Sequence, residues 1–167
     1  ASDVYKRQPV GMEAREYLHV EDDYLIEVGL TPNRVDAASH IGVARDLAAY
    51  LRAKGDAEAR VLWPDVSAFA VDDHALEIGV TVENAEAAPR YTGVTITGCK
   101  IGPSPDWMQN CLRAAGINPK NNLVDITNFV LFELGQPLHA FDAAKIEGRE
   151  VVVRTCAEGT PFVTLDG

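Results

Sequence analysis

The hydrophobic pattern predicts a strand followed by a helix in the first third of the chain. Apolar residues dominate positions 24–28, which predicts a strand that ends at a proline-containing turn. Asp36 is suited to cap the next helix, in which apolar residues recur at steps of three and four over 41–51. Gly55 is expected to end it. Gly42 lies inside this helix at a cost of about 1 kcal/mol relative to alanine, so a close packing contact is expected there.

Beyond this helix the pattern weakens and then becomes that of strands. Residues 55–75 contain alanines, acids and one proline without clear periodicity, which predicts a linker. Later segments are rich in β-branched residues that alternate with a period of two, and these predict strands. The segments are 76–82, 91–102, 150–154 and 161–165. Asp166-Gly167 then gives a strong hairpin signal directly after a strand, so we expect the chain to be truncated within a sheet.

Three helical signals lie between these strands. Each begins at a side chain that can accept hydrogen bonds from free N–H groups, and each is followed by a glycine. The predicted caps and helices are Ser104 before 105–115, Asp125 before 126–134, and Asp142 before 143–146. Trp107 falls on the apolar stripe of the first helix, so we expect it in the core.

This order of elements predicts an α+β fold, with a small strand–helix module followed by a truncated mixed-sheet domain with helices on one side. The predicted divisions are a leader or remnant at 1–16, the strand–helix module at 17–54, a linker with the start of a strand at 55–86, and the mixed-sheet domain at 87–167. The leader lacks the positive-then-apolar pattern of a signal peptide.

Composition adds limits on function. With 47% hydrophobic and 24% charged residues the chain is ordinary globular material, and no apolar run is long enough to cross a membrane. The three cysteines form no CxxC pair and the four histidines lack metal-binding spacing, which favours a cytoplasmic protein without a metal site. The net charge of −10 is opposite to that of most nucleic-acid-binding domains, so composition alone argues against an RNA partner.

Several sequence motifs outweigh that argument. They are GPSPDW at 102–107, AGIN at 115–118, NNLVDITNFVLFELGQPLHAFD at 121–142, VVVRTCAEGTPFVTLDG at 151–167 and TPNRVDAASHIGVARDLAAYL at 31–51. The first four together resemble the bacterial-type phenylalanyl-tRNA synthetase β subunit at its tRNA-binding and editing (B3/B4) domain. The fifth resembles the module that precedes this domain in the same subunit.

The resemblance implies an enzyme that joins phenylalanine to its tRNA with ATP and magnesium, as an α2β2 heterotetramer. The α subunit carries the aminoacylation chemistry, and the β subunit hydrolyses tRNA mischarged with tyrosine. The implied partners are therefore the α subunit and tRNA. We expect this segment to supply no catalytic residue for aminoacylation and to bind neither ATP nor magnesium itself.

The resemblance also assigns candidate site residues. It implies that His139, Thr127 and Asn128 line the editing pocket, where a neutral imidazole can both donate and accept hydrogen bonds. Asn118 is a possible substrate contact, but many relatives have an arginine there, so no charge-based role is carried over. The acidic residue that recognises the tyrosine hydroxyl in the family would lie downstream of this segment.

Two other interpretations stay open. A free-standing RNA-binding or aminoacyl-ester-hydrolysing module of the same domain family would have no reason to carry the 31–51 motif. A purely structural scaffold for the α subunit predicts that His139 is buried and fully hydrogen-bonded.

Arg34 and Asp36 are expected to pair in a solvated turn.

Overall fold

The computed structural model describes residues 10–17 and 22–163. Its α-helices are α1 (Ala14–Tyr17), α2 (His40–Ala53), α3 (Asp106–Ala114) and α4 (Asn122–Leu134), and its strands are β1 (Gly79–Val82) and β2 (Glu150–Val153). Single 3-10 turns span Val35–Ala37, Ala143–Lys145 and Glu147–Arg149. The α+β class predicted from the sequence is confirmed.

The chain divides into two compact units, each built from two separate stretches. The helical unit comprises the described residues of Ala1–Pro64 and Ile101–Ala140, and the sheet unit those of Asp65–Lys100 and Phe141–Gly167. No helix in the described ranges is long and apolar enough to span a bilayer.

Helix α2 begins at a different cap from the one predicted. The Oγ of Ser39 accepts a hydrogen bond from the Gly42 N–H at 3.1 Å, whereas Asp36 lies in the preceding 3-10 turn. Asp36 does not cap because its carboxylate is paired with Arg34. The predicted end is confirmed, since Ala53 is the last helical residue and Gly55 follows with a φ of +102°.

The close packing contact expected at Gly42 is confirmed. Gly42 is buried, and a Cβ placed on it would overlap the carbonyl oxygen of Asp36 and approach the Cα of Ala37 to 2.7 Å. Glycine therefore lets the 3-10 turn lie directly against the first turn of α2.

Helices α3 and α4 also begin at residues other than the predicted caps. Pro105 precedes α3, and the Ser104 hydroxyl donates to Asp125 instead of capping the helix. Asn121 caps α4 by accepting from the N–H groups of Leu123 and Val124, which starts this helix about one turn earlier than predicted. Asp125 is consequently inside the first turn. The predicted ends hold, because Gly116 and Gly135 follow α3 and α4 with left-handed backbones.

The core of the helical unit lies between α3 and α4. Met108 and Leu112 of α3 are buried. Trp107 packs edge-to-face on Phe129 with ring centroids 5.3 Å apart, but it is 52% exposed, so its predicted place in the core is wrong. Helix α4 also reaches α2, where the Nδ1 of His40 donates to the carbonyl oxygen of Phe132 at 2.9 Å.

In the sheet unit β1 and β2 pair in parallel, with Gly79 opposite Glu150 and Val82 opposite Val153. Two of the predicted strand segments thus form strands, whereas 24–28 and 91–102 pair with no other segment that the structure describes. Of the predicted strand 161–165, residues 161–163 are likewise irregular, and 164–165 lie outside the described residues. Alternation predicts an extended backbone, but a strand also needs a hydrogen-bonding neighbour, which the pattern cannot reveal. The described sheet is accordingly parallel, not mixed. The Asp166-Gly167 hairpin signal and residues 1–9 of the predicted 1–16 leader lie outside the described residues.

The turn predicted behind Asp142 is confirmed. Its side chain accepts a hydrogen bond from the Ala144 N–H at 3.0 Å, and the 3-10 turn Ala143–Lys145 follows.

Candidate functional site

Two of the predicted pocket residues are neighbours on α4. Thr127 and Asn128 are both half-buried in the middle of this helix. The Thr127 hydroxyl donates to the carbonyl oxygen of Val124 at 2.7 Å. Because a hydroxyl has one donor and two acceptor lone pairs, Thr127 is left able to accept a hydrogen bond from a ligand.

His139 lies beyond the end of α4 and is exposed. Helix α4 ends at Gly135, which has a φ of 75° and whose N–H donates to the Leu131 carbonyl. A left-handed residue at this position reverses the direction of the chain and favours glycine. The Gln136-Pro137 segment that follows leads to His139. Its exposure disagrees with the scaffold interpretation, which required a buried His139.

The fourth candidate, Asn118, is exposed in the loop between α3 and α4. Both ends of this loop are held by hydrogen bonds from backbone N–H groups. The Ile117 N–H donates to the Leu112 carbonyl at 2.8 Å, and the Lys120 N–H donates to the Asp125 carboxylate at 2.8 Å. The structure therefore keeps Asn118 open to solvent on a fixed loop, while its contact with substrate stays a prediction.

A buried polar network fixes the start of α4, and sequence analysis missed it. Asp125 is 1% exposed, and its Oδ2 accepts from the Ser104 hydroxyl at 2.5 Å. Its Oδ1 accepts from the Lys120 N–H, and the Ser104 carbonyl accepts from the Gln109 side chain at 2.6 Å. In addition, the Asn122 N–H donates to the Gly102 carbonyl at 2.8 Å.

This network connects the loop before α3 to the helix that carries Thr127 and Asn128. Among the described residues no buried side-chain nitrogen or oxygen lacks a hydrogen-bond partner. Because buried polar groups are costly unless paired, the network sets one position for α4 relative to α3. In the sequence, Ser104 and Asp125 each have the pattern of a helix cap. Only their pairing in space shows that they bind each other instead.

The 31–51 motif forms a charged turn in front of α2. The Arg34 guanidinium donates to Asp36 at 3.0 Å and to Asp46 of α2 at 2.7 Å, which confirms the predicted pair and adds a second carboxylate. The hydrogen bond from Arg34 holds the pKa of Asp36 below its usual value, and the two acids raise the pKa of Arg34. These groups are solvent-exposed, so the turn is an orienting contact more than a source of stability.

In the described part of the chain no group of three or more histidine, cysteine or acidic residues is arranged to hold a metal ion. The three cysteines Cys99, Cys111 and Cys156 are free and exposed.

Comparison with known proteins identifies the domain that contains the candidate residues. Residues 87–167 match the B3/4 domain. The chain is 57% identical over 157 residues to the phenylalanine–tRNA ligase β subunit of Bacteroides fragilis, which covers 94% of this chain and 19% of that protein. The same subunit of Porphyromonas gingivalis is 58% identical over 159 residues, 95% of this chain and 19% of that protein. That of Bacillus subtilis is 50% identical over 146 residues, 87% of this chain and 17% of that protein.

Residues 87–167, which include all four candidate residues, are therefore similar to a B3/4 domain. Over nearly its whole length the chain is similar to the phenylalanine–tRNA ligase β subunit, and the resemblance predicted from the motifs is confirmed. The chain spans about a fifth of the length of these curated relatives.

Proposed function

We propose that this chain is the part of a phenylalanine–tRNA ligase β subunit that contributes to hydrolytic proofreading of mischarged Tyr-tRNA and to RNA binding. The observation that carries the proposal is the alignment over 94% of the chain, which includes the B3/4 domain at 87–167. An alignment of this length also includes the 31–51 motif. This favours the ligase subunit over a free-standing module, which would have no reason to carry that motif.

A proofreading site has a physical reason in this enzyme class. Tyrosine is phenylalanine with one added hydroxyl, and an apolar pocket rejects such an isostere by only about a hundred-fold. A second site that recognises the hydroxyl with polar groups discriminates better, because phenylalanine leaves those groups unpaired. The site should therefore contain a few hydrogen-bonding side chains on a rigid support.

The candidate residues fit this requirement. Thr127 and Asn128 lie on a helix whose start is fixed by the buried Asp125 network. The Thr127 hydroxyl is polarised by its own donation to Val124, and the Asn128 amide can donate and accept. His139 is exposed and, when neutral, can do both as well.

In the proposed reaction water adds to the ester carbonyl of Tyr-tRNA. The ester C–O bond then breaks, so that tyrosine and the ribose hydroxyl of the tRNA are released. Residues Thr127, Asn128 and His139 orient the ester and the terminal adenosine by hydrogen bonds. Asn118 is a neutral contact on the neighbouring loop.

The remaining parts of the proposal concern the whole protein. We propose that it works in the cytoplasm with an α subunit in an α2β2 heterotetramer and binds phenylalanine-accepting tRNA. ATP and magnesium are used by the whole enzyme for aminoacylation and are not bound by this segment.

Replacement of Asn128 by alanine in the β subunit of the reconstituted α2β2 enzyme tests the assignment. Two rates are measured, deacylation of preformed Tyr-tRNA and synthesis of Phe-tRNA. Loss of one hydrogen bond to the ester is expected to slow deacylation by about ten- to a hundred-fold. Asn110→Ala, a half-buried asparagine on α3, is the matched control and should change neither rate. Equal deacylation by the Asn128→Ala and Asn110→Ala enzymes would remove Asn128 from the site.

A further inference from the structure

A concavity of about 360 Å³ lies in the helical unit, between α2 and the segment after it. Three arginines, one tryptophan and the small apolar residues Ala48, Ala49 and Val61 line it, and no acidic residue does. The arginines are Arg45, Arg52 and Arg60, and the tryptophan is Trp63. The chain as a whole has 15 basic and 25 acidic residues, so this grouping differs sharply from the average surface.

Helical geometry creates one wall of the concavity. Arg45 and Arg52 are seven residues apart and therefore lie on the same face of α2, with Cα atoms about 10 Å apart. Ala48 and Ala49 lie between them, and their small side chains leave the space open. Among the described residues Arg45 forms no hydrogen bond or ion pair, although the nearby Asp36 interacts with it electrostatically.

The opposite wall is held in place by a hydrogen bond from a side chain to the backbone. The Nε of Arg52 donates to the carbonyl oxygen of Ala59 at 2.6 Å, which draws the chain after α2 back along the helix. This bond leaves the terminal nitrogens of Arg52 available as donors. Acids lie close to the arginines, but Asp36 and Asp46 are already bound by Arg34, and Glu58 is only loosely paired with Arg60 at 4.0 Å.

Trp63 adds a flat aromatic surface to this positive wall, and it is 64% exposed. Proteins that bind single-stranded nucleic acid combine these same two features. Guanidinium groups bind the phosphates, and an aromatic ring stacks on a base. An acidic peptide would use the charges but would leave the ring without a partner.

We infer that Arg45, Arg52, Arg60 and Trp63 form a binding site for single-stranded RNA, in which the arginines bind backbone phosphates and Trp63 stacks on one base. This inference rests on the proposed function, because it gives an acidic β-subunit segment a place to hold RNA outside the editing residues. The net charge of −10 repels RNA over the rest of the surface, so binding requires such a local positive site.

Fluorescence of Trp63 reports directly on this site. The 167-residue chain is prepared with Trp107→Phe, which leaves Trp63 as the single tryptophan. It is titrated with a single-stranded oligouridine of about eight nucleotides, near the length that one small binding domain covers. Quenching of Trp63 is expected, with an affinity that falls steeply as salt is raised.

Arg45→Gln and Arg60→Gln are each expected to weaken binding several-fold and to lower the salt slope by about 0.7. Trp63→Phe/Trp107→Phe, measured by competition with labelled RNA, should weaken binding about ten-fold or less, because a phenyl ring retains part of the stacking. Arg90→Gln, which removes the same charge from an exposed position in the sheet unit, is the matched control. Arg60 lies outside any helix, so Arg60→Glu gives a second test that does not depend on the stability of α2.

Three results would overturn the site. One is an equal loss of affinity in Arg90→Gln and in Arg45→Gln, which would show non-specific attraction. The second is quenching by inorganic phosphate at the same phosphate concentration, which would show a small-anion site. The third is equal competition by a polyglutamate peptide, which would show a site for acidic peptides.

Kinetics of the whole enzyme distinguish failure of the RNA site from failure of the proofreading proposal. In the reconstituted enzyme, Arg45→Gln and Arg60→Gln should raise the tRNA concentration needed for half-maximal deacylation and leave the rate at saturating tRNA unchanged. Asn128→Ala should lower the saturated rate. A normal tRNA requirement in both arginine variants, with slow deacylation in Asn128→Ala, rejects the RNA site alone. A raised tRNA requirement in the arginine variants, with normal deacylation in Asn128→Ala, rejects the editing assignment alone.

Discussion

Removal of the buried Asp125 carboxylate should destabilise the helical unit more than any exposed substitution. Asp125 is 1% exposed and accepts one hydrogen bond from the Ser104 hydroxyl and one from the Lys120 N–H. Asp125→Ala leaves both donors without their acceptor, and the Ser104 hydroxyl is buried. Each unpaired donor costs about 1–3 kcal/mol, so a loss of about 3–5 kcal/mol in the free energy of unfolding is expected.

Two milder substitutions test the reasoning behind that magnitude. In Asp125→Asn the amide oxygen can still accept from Lys120, and the amide nitrogen can donate to the Ser104 oxygen, so a loss of only about 1 kcal/mol is expected. Ser104→Ala removes one donor and keeps the other, and an intermediate loss is expected. The free energy of unfolding should therefore decrease in the order Asp125→Asn, Ser104→Ala, Asp125→Ala.

Urea unfolding followed by circular dichroism measures the three variants, with Asp72→Ala, an exposed aspartate of the sheet unit, as the control. If Asp125→Ala unfolds at the same urea concentration as Asp72→Ala, the network does not hold α4. If Asp125→Asn is as unstable as Asp125→Ala, the negative charge matters and the hydrogen-bond argument fails.

Three further predictions follow from the fold and the proposed function. Gly42→Ala should lower the free energy of unfolding by about 1–3 kcal/mol despite the better helix propensity of alanine, because the new Cβ meets the backbone of Ala37. Gly93→Ala is the control, since Gly93 lies in open space, and it should change the urea midpoint little. The lowered pKa of Asp36 stabilises the folded state at pH values above the usual aspartate pKa, and this contribution is lost as pH falls through the lowered value. Asp36→Asn should therefore show a weaker acid dependence of the urea midpoint between about pH 5 and pH 2. The purified 167-residue chain should not charge tRNA with phenylalanine when ATP is added; ATP-dependent formation of Phe-tRNA by the chain alone would contradict the assignment of that chemistry to the α subunit.

Local signals predicted the elements of this fold better than their exact beginnings. Gly55, Gly116 and Gly135 mark the ends of helices because a left-handed terminus is a property of a single residue. The caps were predicted less well. Asp36 and Asp125 are both capable of capping, but each binds a partner that is distant in sequence or outside the helix, and this leaves Ser39 and Asn121 to cap.

Partners in space explain the other differences. The segment 91–102 has the alternation of a strand, but no strand within the described ranges pairs with it. The arginine-lined concavity was equally hidden, since it depends on the contact between Arg52 and Ala59 that folds the chain back on α2. In contrast, the sequence motifs alone revealed the similarity to the phenylalanine–tRNA ligase β subunit. The roles of Thr127, Asn128 and His139 remain predictions.

Replacement of His139 by alanine in the β subunit of the reconstituted α2β2 enzyme tests the central claim most directly. Deacylation of preformed Tyr-tRNA is expected to fall by about ten- to a hundred-fold, because one hydrogen bond to the bound ester is lost. Synthesis of Phe-tRNA should stay the same, and His74→Ala, an exposed histidine of the sheet unit, should change neither rate. Unchanged deacylation, or an equal fall in both rates, would contradict a role for this segment in proofreading.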